Sequence, residues 1–349
     1  MSLTLLAPVL LSAVVPELSQ RNQRLPALEA LCATGAISVV DQPPEHWLCA
    51  QLGVRVETEP PLAALRLATE ANLHDDANRA GYWLCADPVA TTMGIESVRI
   101  DPRSDDLSAE QALALTQSLS EFFAQDGLHF TAADASRWYV RCNSPQRIVT
   151  TPLWRALGGS MLEQMPTGED APAWRARLNA AQMLLHAHPV NAAREAMGLR
   201  AVTSIWWWGG GAAPAYGPAQ FDALGGGPRW VRAASAANGI EWLAAAGESA
   251  PALVSDAGRV LYIVGGEWED VAADSTALPR WDEGWLAPLR SALESGRLDA
   301  ATLLFPWEGG LLRIELGPAR ATGWRRWFGF AVHPAPAPPL AESLRAFAP

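Results

Sequence analysis

Lysine is absent from this 349-residue sequence, so all 26 of its basic residues are arginine. That absence excludes every mechanism that needs a lysine amine: pyridoxal phosphate and other Schiff-base chemistry, the lysine of a P-loop, and the phosphate-pairing lysine of the kinases. No G-x-S-x-G motif occurs either, which removes the nucleophile elbow of the α/β-hydrolases. These enzyme classes are therefore excluded before any other motif is considered.

Histidine and cysteine are scarce, with six and four residues. The cysteines lie far apart and form no C-x-x-C pair, which favours free, buried thiols in a reducing compartment. The densest group of possible metal ligands is the His-Asp-Asp run at 74–76, but it falls in a polar loop, and a solvated loop is the simpler interpretation. His186 and His188 lie two positions apart at a helix end, where side chains do not face each other. We therefore expect neither a metal nor another cofactor.

Positive charge is also in deficit, because the formal net charge is −11 and the isoelectric point is about 5.1. A nucleic-acid partner would need a basic face, and an anionic membrane surface would repel this chain. No apolar run reaches the roughly 18 residues that suggest a membrane-spanning helix. The apolar stretch at 3–15 has no basic residue before it and is followed by Pro16, which favours a buried first strand over a signal peptide. We expect a cytoplasmic protein without nucleic-acid or membrane partners.

Strands alternate with helices along the chain, which predicts an α/β fold with a mostly parallel sheet and helices on both faces. Residues 3–11 are apolar throughout, as in a strand of a parallel sheet, and residues 25–34 have helical spacing. Ser108, with Gln111 three residues later, forms the capping box of another helix. The second half repeats the alternation, beginning with a strong strand at 202–208.

The sharpest local pattern is Ser204–Gly211, in which three tryptophans are followed by three glycines. We expect this strand in the central parallel sheet, where ligands of open α/β folds bind at the carboxyl edge. There Trp207 would offer a ring, while Gly209 and Gly211 would let a ligand approach the backbone closely. The alternative is that the rings fill the core and the glycines permit a tight turn.

Aromatic surface is concentrated in the second half, since 11 of the 16 tryptophans lie at or after Trp206. Such a surface could stack on a ligand or bind a partner. The Trp-Arg-Arg-Trp run at 324–327 is suited to an anion or a planar ring. A strand with salt-bridged arginines on one face is the alternative for that run.

One stretch of the chain resembles the archaeal-type cofactor-independent phosphoglycerate mutases. The His-Pro-Val-Asn run at 188–191, Arg194, Gly198 and the strand at 205–208 are similar to that family's P-x-N…R…G segment, which leads into a strand reading like IWLWGxG. Residues 26–31 with Gly35 are similar to the family's early helix. A bacterial branch of these proteins is named for regulating pathogenicity factors, and this chain is most similar to that branch.

The resemblance implies an alkaline-phosphatase-like core interrupted by a smaller inserted α+β domain. Residues 1–80 and 200–330 would form the core and 81–199 the insert, with Asp87 near the start of that insert. Residues 331–349 would form a proline-rich tail.

The resemblance also implies two divalent metals held by Asp and His, and a serine that takes up phosphate. None of these side chains carries over, because the corresponding stretches offer Ser12, Pro44 and Trp307 instead. A pair of close divalent ions needs several anionic or imidazole ligands in fixed geometry. The metal-dependent mutase mechanism is therefore not expected.

Three functions remain open. The favoured one is a catalytically silent, regulatory relative that binds a small anionic metabolite or a protein partner. The second is an active mutase-like phosphotransferase with a rebuilt site, and the third is a tryptophan-rich module for interaction or oligomerisation. The candidate ligand-binding residues are Asp87, Asn191, Arg194, Trp207, Gly209 and Gly211.

Two of these candidates come shortly before the strong strand. We expect Asn191 and Arg194 to reach its edge and, with one ring of residues 206–208, to form an anion site without a metal. The alternative is that Asn191 caps the following turn and Arg194 pairs with a nearby acid.

Overall fold

The computed structural model describes residues 2–70, 73, 81–94, 97–101, 106–244, 250, 258–268, 276–317 and 338–347. The chain divides into two compact units. The first unit comprises Met1–Gly53, Pro218–Pro228 and Ser235–Pro349, and the second comprises Val54–Gly217 and Arg229–Ala234.

The described strands, in chain order, are β1 (Ser2–Leu6), β2 (Ala36–Val40), β3 (Tyr82–Met93), β4 (Val98–Asp101), β5 (Leu128–Ala132), β6 (Trp138–Cys142), β7 (Ser204–Gly211), β8 (Ala223–Gly226), β9 (Glu241–Leu243), β10 (Arg259–Ile263), β11 (Ala300–Trp307) and β12 (Gly310–Leu316).

The described α-helices are α1 (Leu11–Gln20), α2 (Pro26–Thr34), α3 (Pro44–Gln51), α4 (Leu62–Leu67), α5 (Ala109–Phe122), α6 (Leu153–Ala156), α7 (Ala171–His186), α8 (Pro189–Ala196), α9 (Arg229–Ala237), α10 (Ala277–Trp281), α11 (Ala287–Glu294) and α12 (Leu340–Ser343). A π-helical segment, Asp282–Leu286, joins α10 to α11. None of the described helices combines the length and the apolar character that crossing a membrane would require.

The first unit is built on a seven-stranded sheet with the order β2-β12-β11-β1-β10-β8-β9. The five strands from β11 to β9 run parallel, while β12 and β2 add antiparallel strands at one edge. The predicted α/β class with a large, mostly parallel sheet is therefore confirmed. Strand β1 lies at the centre, where Leu5 is opposite both Tyr262 and Leu303.

The first predicted strand is confirmed in position but is shorter than expected. It ends at Leu6, and the apolar residues from Leu11 onward form helix α1. Pro8 lies between the two elements, and its missing N–H cannot continue the hydrogen-bond ladder of a sheet. Helices α1, α2, α10 and α11 contribute to one apolar core with this sheet, in which Trp281, Trp285 and Trp307 are the largest side chains.

The second unit is built on a five-stranded antiparallel sheet organised around the long strand β3. On one side β3 pairs with β6 near its start and with β4 near its end, and on the other side it pairs with β7. Strand β5 extends the sheet beyond β6. Helix α4 packs on β3 and β7, α5 on β5, and α7 on β7.

The placement of β7 in the central parallel sheet is wrong, since β7 runs antiparallel to β3 in the sheet of the second unit. An apolar run on both faces is typical of any covered strand, so its composition does not distinguish the two sheets. The expected insert, 81–199, lies inside the second unit, which also takes in α4 before it and β7 after it.

A substitution of Leu303 tests whether strands β1 and β11 lie in the core of the first unit. Its side chain is fully buried, whereas Val39 on the edge strand β2 is 47% exposed. We expect Leu303→Ala to lower the free energy of unfolding by about 2–5 kcal/mol, because the cavity it leaves cannot fully collapse. Val39→Ala should change it by less than about 1 kcal/mol. Equal losses in denaturant titrations of the two variants would contradict this core.

Candidate functional site

The three tryptophans of β7 are core side chains of the second unit. Trp207 packs against Trp174 of α7 at a ring-centroid distance of 5.1 Å and against Phe130 of β5 at 5.7 Å. Trp206 and Trp208 point to the opposite face, because successive side chains alternate along a strand. All three rings are buried, so these tryptophans offer no stacking surface to an external partner.

The glycines after them are approached closely by the chain itself. A Cβ on Gly209 would lie 2.8 Å from Cβ of Leu62, and a Cβ on Gly211 would lie 2.4 Å from Cβ of Pro61. Gly209 also has φ of +67°, a conformation that favours glycine. The expected close approach is present, but the start of α4 occupies it. The glycines belong to strand β7 and not to the tight turn of the alternative interpretation, and their open side is filled by the chain itself.

A buried acid, Glu59, binds the backbone of the same glycine run. The carboxylate of Glu59 accepts hydrogen bonds from Gly210 N at 2.7 Å, from Thr150 N at 2.6 Å and from the Thr150 hydroxyl at 2.8 Å. Through these bonds Glu59 connects β7 to the backbone at Thr150. Burial, with a smaller contribution from the charge of Glu59, also raises the pKa of the nearby Tyr82 well above its ordinary value.

Asn191 on α8 is buried and holds the chain segment that leads into β7. Its Nδ2 donates to the carbonyl oxygens of Leu185 and Val202, each at 2.8 Å, and its Oδ1 accepts from Val202 N at 2.9 Å. The amide thus satisfies backbone groups on both sides of the connection, as the structural alternative supposes.

Arg194, one turn further along α8, is equally buried. Its guanidinium donates to the carbonyl oxygen of Arg200 at 2.8 Å and to Oε1 of Gln111 at 2.9 Å, and it forms an ion pair with Asp106. These partners tie α8 to the capping-box end of α5. The pairing with a nearby acid again matches the structural alternative to an anion site.

Asp87 on β3 is the centre of a buried charge network, on the same face of the sheet as the Trp208 ring of β7. Its carboxylate lies 3.0 Å from Nη1 of Arg66, accepts from Trp208 Nε1 at 3.0 Å, and accepts from Trp138 N at 3.1 Å. The guanidinium of Arg66 also stacks over the Trp208 ring, with Cζ 4.8 Å from its centroid. Asp87 thus joins β3 to α4, β6 and β7.

A second buried acid, Glu70, lies four residues after Arg66, beyond the end of α4. It accepts two hydrogen bonds from Arg137, at 2.7 and 3.1 Å, and one from the Tyr139 hydroxyl at 2.9 Å. Burial disfavours ionisation of Glu70, but the bonds from Arg137 and Tyr139 outweigh it and lower its pKa. Sequence reasoning missed Arg66 and Glu70. Their spacing of four residues in an apolar helical stretch was the available signal, because it places both on one face.

An open groove of about 550 Å³ lies elsewhere on the second unit. It is bordered by the end of β3, the start of β4, the loop at 161–165, and helices α7 and α8. One wall is apolar and contains three of the six methionines of the chain: Met93, Met161 and Met165. Leu162 belongs to the same wall. Asn191 also borders this groove, so one of the predicted ligand-binding residues lies beside a cavity.

The polar lining of the groove comes mainly from α7. Asn179, Gln182 and His186 are spaced by three and four residues, so they project from one face of that helix. Gln182 donates to Ser204 Oγ at 3.1 Å, and its Nε2 lies 3.8 Å from the Met161 sulfur. The groove therefore combines an adaptable thioether surface with amide and imidazole groups.

The carboxyl edge of the large sheet in the first unit has a different character. Strands β1, β8 and β10 lead there into Ala7, Gly226 and Val264, and β11 ends at Trp307, whose Nε1 donates to the Phe347 carbonyl at 3.2 Å. Ser12 and Pro44, the other positions singled out by the family resemblance, lie in the first turns of α1 and α3. Within the described part of the chain, no group of three or more His, Cys, Asp or Glu side chains could hold a metal ion.

The four cysteines are free and buried, as the sequence predicts. The runs at 74–76 and 324–327, and most of the tail at 331–349, lie outside the described residues.

No family model and no curated protein matches this sequence. The solved structures that are similar to the chain include the following two. The cofactor-independent phosphoglycerate mutase from Thermoplasma acidophilum DSM 1728 has a TM-score of 0.36 and 14% identity, covering 91% of this chain and 90% of that chain. The PH0037 protein from Pyrococcus horikoshii has a TM-score of 0.47 and 12% identity, covering 98% and 92%. At these values neither similarity assigns an activity or a residue role.

The Asp87 network gives a direct test of the architecture of the second unit. We expect Asp87→Asn to lower the free energy of unfolding by about 3–5 kcal/mol, because it removes a charge that is paired with the buried Arg66. The matched control is Asp222→Asn, which breaks an exposed pair with Arg259 and should cause a much smaller loss. A loss for Asp87→Asn no larger than that of the control, in denaturant titrations, would show that the buried pair is unimportant.

Proposed function

We propose that this chain is a catalytically silent relative of the cofactor-independent phosphoglycerate mutases and acts by binding a small molecule. The observation that carries the proposal is the groove of the second unit, which has both apolar and polar lining residues. Its volume of about 550 Å³ falls in the range of about 300–1,000 Å³ typical of small-molecule sites. Such sites combine an apolar lining with a few oriented polar groups, as this groove does.

The lining defines the class of ligand. Methionine side chains are flexible and polarizable, so the wall of Met93, Met161 and Met165 can adapt to an aliphatic or aromatic body. The Asn179 amide offers a donor and an acceptor, and Gln182, whose Nε2 donates to Ser204, offers its carbonyl oxygen, so the two amides would orient neutral polar groups of the ligand. We infer a ligand with an apolar body and one neutral, hydrogen-bonding edge.

Support for catalytic silence comes from the residue types at the family's ligand and nucleophile positions. Pro44 has no functional group, Ser12 offers a single hydroxyl in α1, and the Trp307 indole already donates to a carbonyl. Chemistry through two divalent ions requires several anionic or imidazole ligands. A regulatory protein needs only differential binding between two states, which the groove can supply without such ligands.

The two other functions have less support. The residues expected to rebuild an active site, Asp87, Asn191 and Arg194, are each 2% exposed or less and engaged with protein partners, so a substrate would not touch them. The tryptophans of β7 are buried rather than displayed for a partner. A reducing compartment such as the cytoplasm suits the four free thiols.

Metal analysis tests catalytic silence. Because Ser12, Pro44 and Trp307 stand where metal ligands and the nucleophile are expected, purified protein should carry no stoichiometric manganese or zinc by elemental analysis. It should also show no phosphoglycerate mutase activity when either metal is added. Two bound ions per chain, or turnover above that of a metal-only blank, would overturn this part of the proposal.

A charge placed in the apolar wall tests the groove. Leu162 lines the groove and is 77% exposed, while Leu113 on α5 lies outside it and is 63% exposed. Compounds that raise the melting temperature of the unmodified chain should lose that effect with Leu162→Asp, because a carboxylate would oppose burial of an apolar body. Leu113→Asp should retain it. If both variants respond like the unmodified chain, the groove is not the binding site.

A further inference from the structure

We propose that the second unit carries a separate binding site for a small oxyanion of the phosphate type. The site is a cavity of about 290 Å³ on the sheet, away from the methionine-lined groove. Its polar lining consists of Trp83, His129, Thr131 and Arg141, completed by Leu73 and Phe130. The four polar side chains can all donate hydrogen bonds, and none of the described lining residues is a carboxylate.

Strand register brings these four side chains to one face of the sheet. Arg141 of β6 is directly opposite Trp83 of β3 on one side and His129 of β5 on the other. Directly opposed residues project from the same face of a sheet. Thr131 lies two residues after His129 and therefore shares that face. Three neighbouring strands thus converge on one cavity.

The donors are unused within the protein. The Trp83 side chain is 4% exposed, and its Nε1 is buried without a hydrogen-bond partner. A guanidinium carries five N–H donors and no acceptor, and an indole nitrogen only donates. In the part of the chain that the structure describes, Arg141 forms no ion pair or side-chain hydrogen bond. A buried donor without an acceptor is unfavourable, and an anion oxygen would remove that cost.

The glycine at position 81 leaves space beside the donors of Trp83 and Arg141. Gly81 precedes β3 with φ of +131°, a conformation that L side chains rarely adopt. A Cβ at this position would lie 3.5 Å from Cγ of Arg141 and 3.9 Å from Nε1 of Trp83. Both donors therefore lie within reach of one point at which this chain has no side chain.

The local charge also favours an anion. Two described acids lie on this face. Glu70 accepts two hydrogen bonds from Arg137, and Asp87 pairs with Arg66, so each carboxylate has its own cation. The charge of Arg141 is therefore not cancelled within the cavity. A guanidinium presents a planar fork that matches the oxygens of phosphate, and Thr131 and His129 would supply further donors.

Titration calorimetry with inorganic phosphate tests the site, with chloride at equal ionic strength as the reference. Arg141→Met should weaken phosphate binding roughly ten- to a hundredfold, because it removes charge-assisted hydrogen bonds while keeping the aliphatic stem. The matched control is Arg290→Met, which removes the same charge from an exposed pair in the first unit and should bind phosphate like the unmodified chain. Equal weakening in both variants, or no phosphate binding beyond that of chloride, would overturn the site.

Glycerol phosphate serves as a second ligand to identify the source of the oxyanion. Binding of inorganic phosphate alone indicates the free ion, and preferential binding of the monoester indicates the terminal phosphate of a metabolite. Either result supports the site. If neither ligand binds, the proposal fails.

The indole N–H of Trp83 gives a readout that a structural role would not produce. In ¹⁵N-labelled protein its resonance is assigned by its loss in Trp83→Phe, and it should move as phosphate is added. Trp207 is the internal control, because its Nε1 is also buried without a partner but lies on the opposite face. Movement of both resonances, or of neither, would contradict the site. Leu162→Asp should leave phosphate binding intact, so failure here and failure of the groove are distinguishable.

Discussion

The second unit depends on the buried contact between Arg66 and Asp87. Removing both charges from water is costly, and the pair is favourable only if every lone pair and proton finds a partner. Asp87 meets that condition by accepting from Arg66, Trp208 and the backbone N–H of Trp138. One carboxylate therefore fixes α4, β6 and β7 on strand β3. Two apolar residues in its place could pack as well, but they would not define this relative orientation.

Strand β3 in turn connects the two proposed sites. Trp83 near its start lines the oxyanion cavity, and Thr91 and Met93 near its end line the groove. At about 3.3 Å per residue, Trp83 and Thr91 are roughly 26 Å apart. Separate ligands can therefore occupy the two sites without contact. Because both sites share one strand whose position the Asp87 network fixes, any coupling between them would pass through the packing of β3.

Local patterns predicted local structure well, and failed where a partner is distant in sequence. The capping box at Ser108 and the helix that begins at Pro26 are present because each depends on neighbouring residues. The apolar strand β7 was assigned to the wrong sheet, since the partner of an apolar strand is chosen by the whole fold. The glycines at 209–211 correctly indicated a close approach, but only the structure shows that Pro61 and Leu62 occupy it. The oxyanion cavity escaped detection because its donors come from three strands that only register brings together.

The net negative charge of the chain affects ligand binding differently at the two proposed sites. A net charge of −11 repels an approaching anion at long range, but this repulsion is screened beyond roughly 8–10 Å in physiological salt. Binding at Arg141 must then come from short-range donors rather than from the overall field. That requirement is met by unused donors, of which the Trp83 N–H is buried and can form a strong bond because water does not compete for it. The groove needs no such compensation for a neutral ligand, because apolar side chains and amides make up most of its lining, with Glu195 as the one carboxylate among the described lining residues.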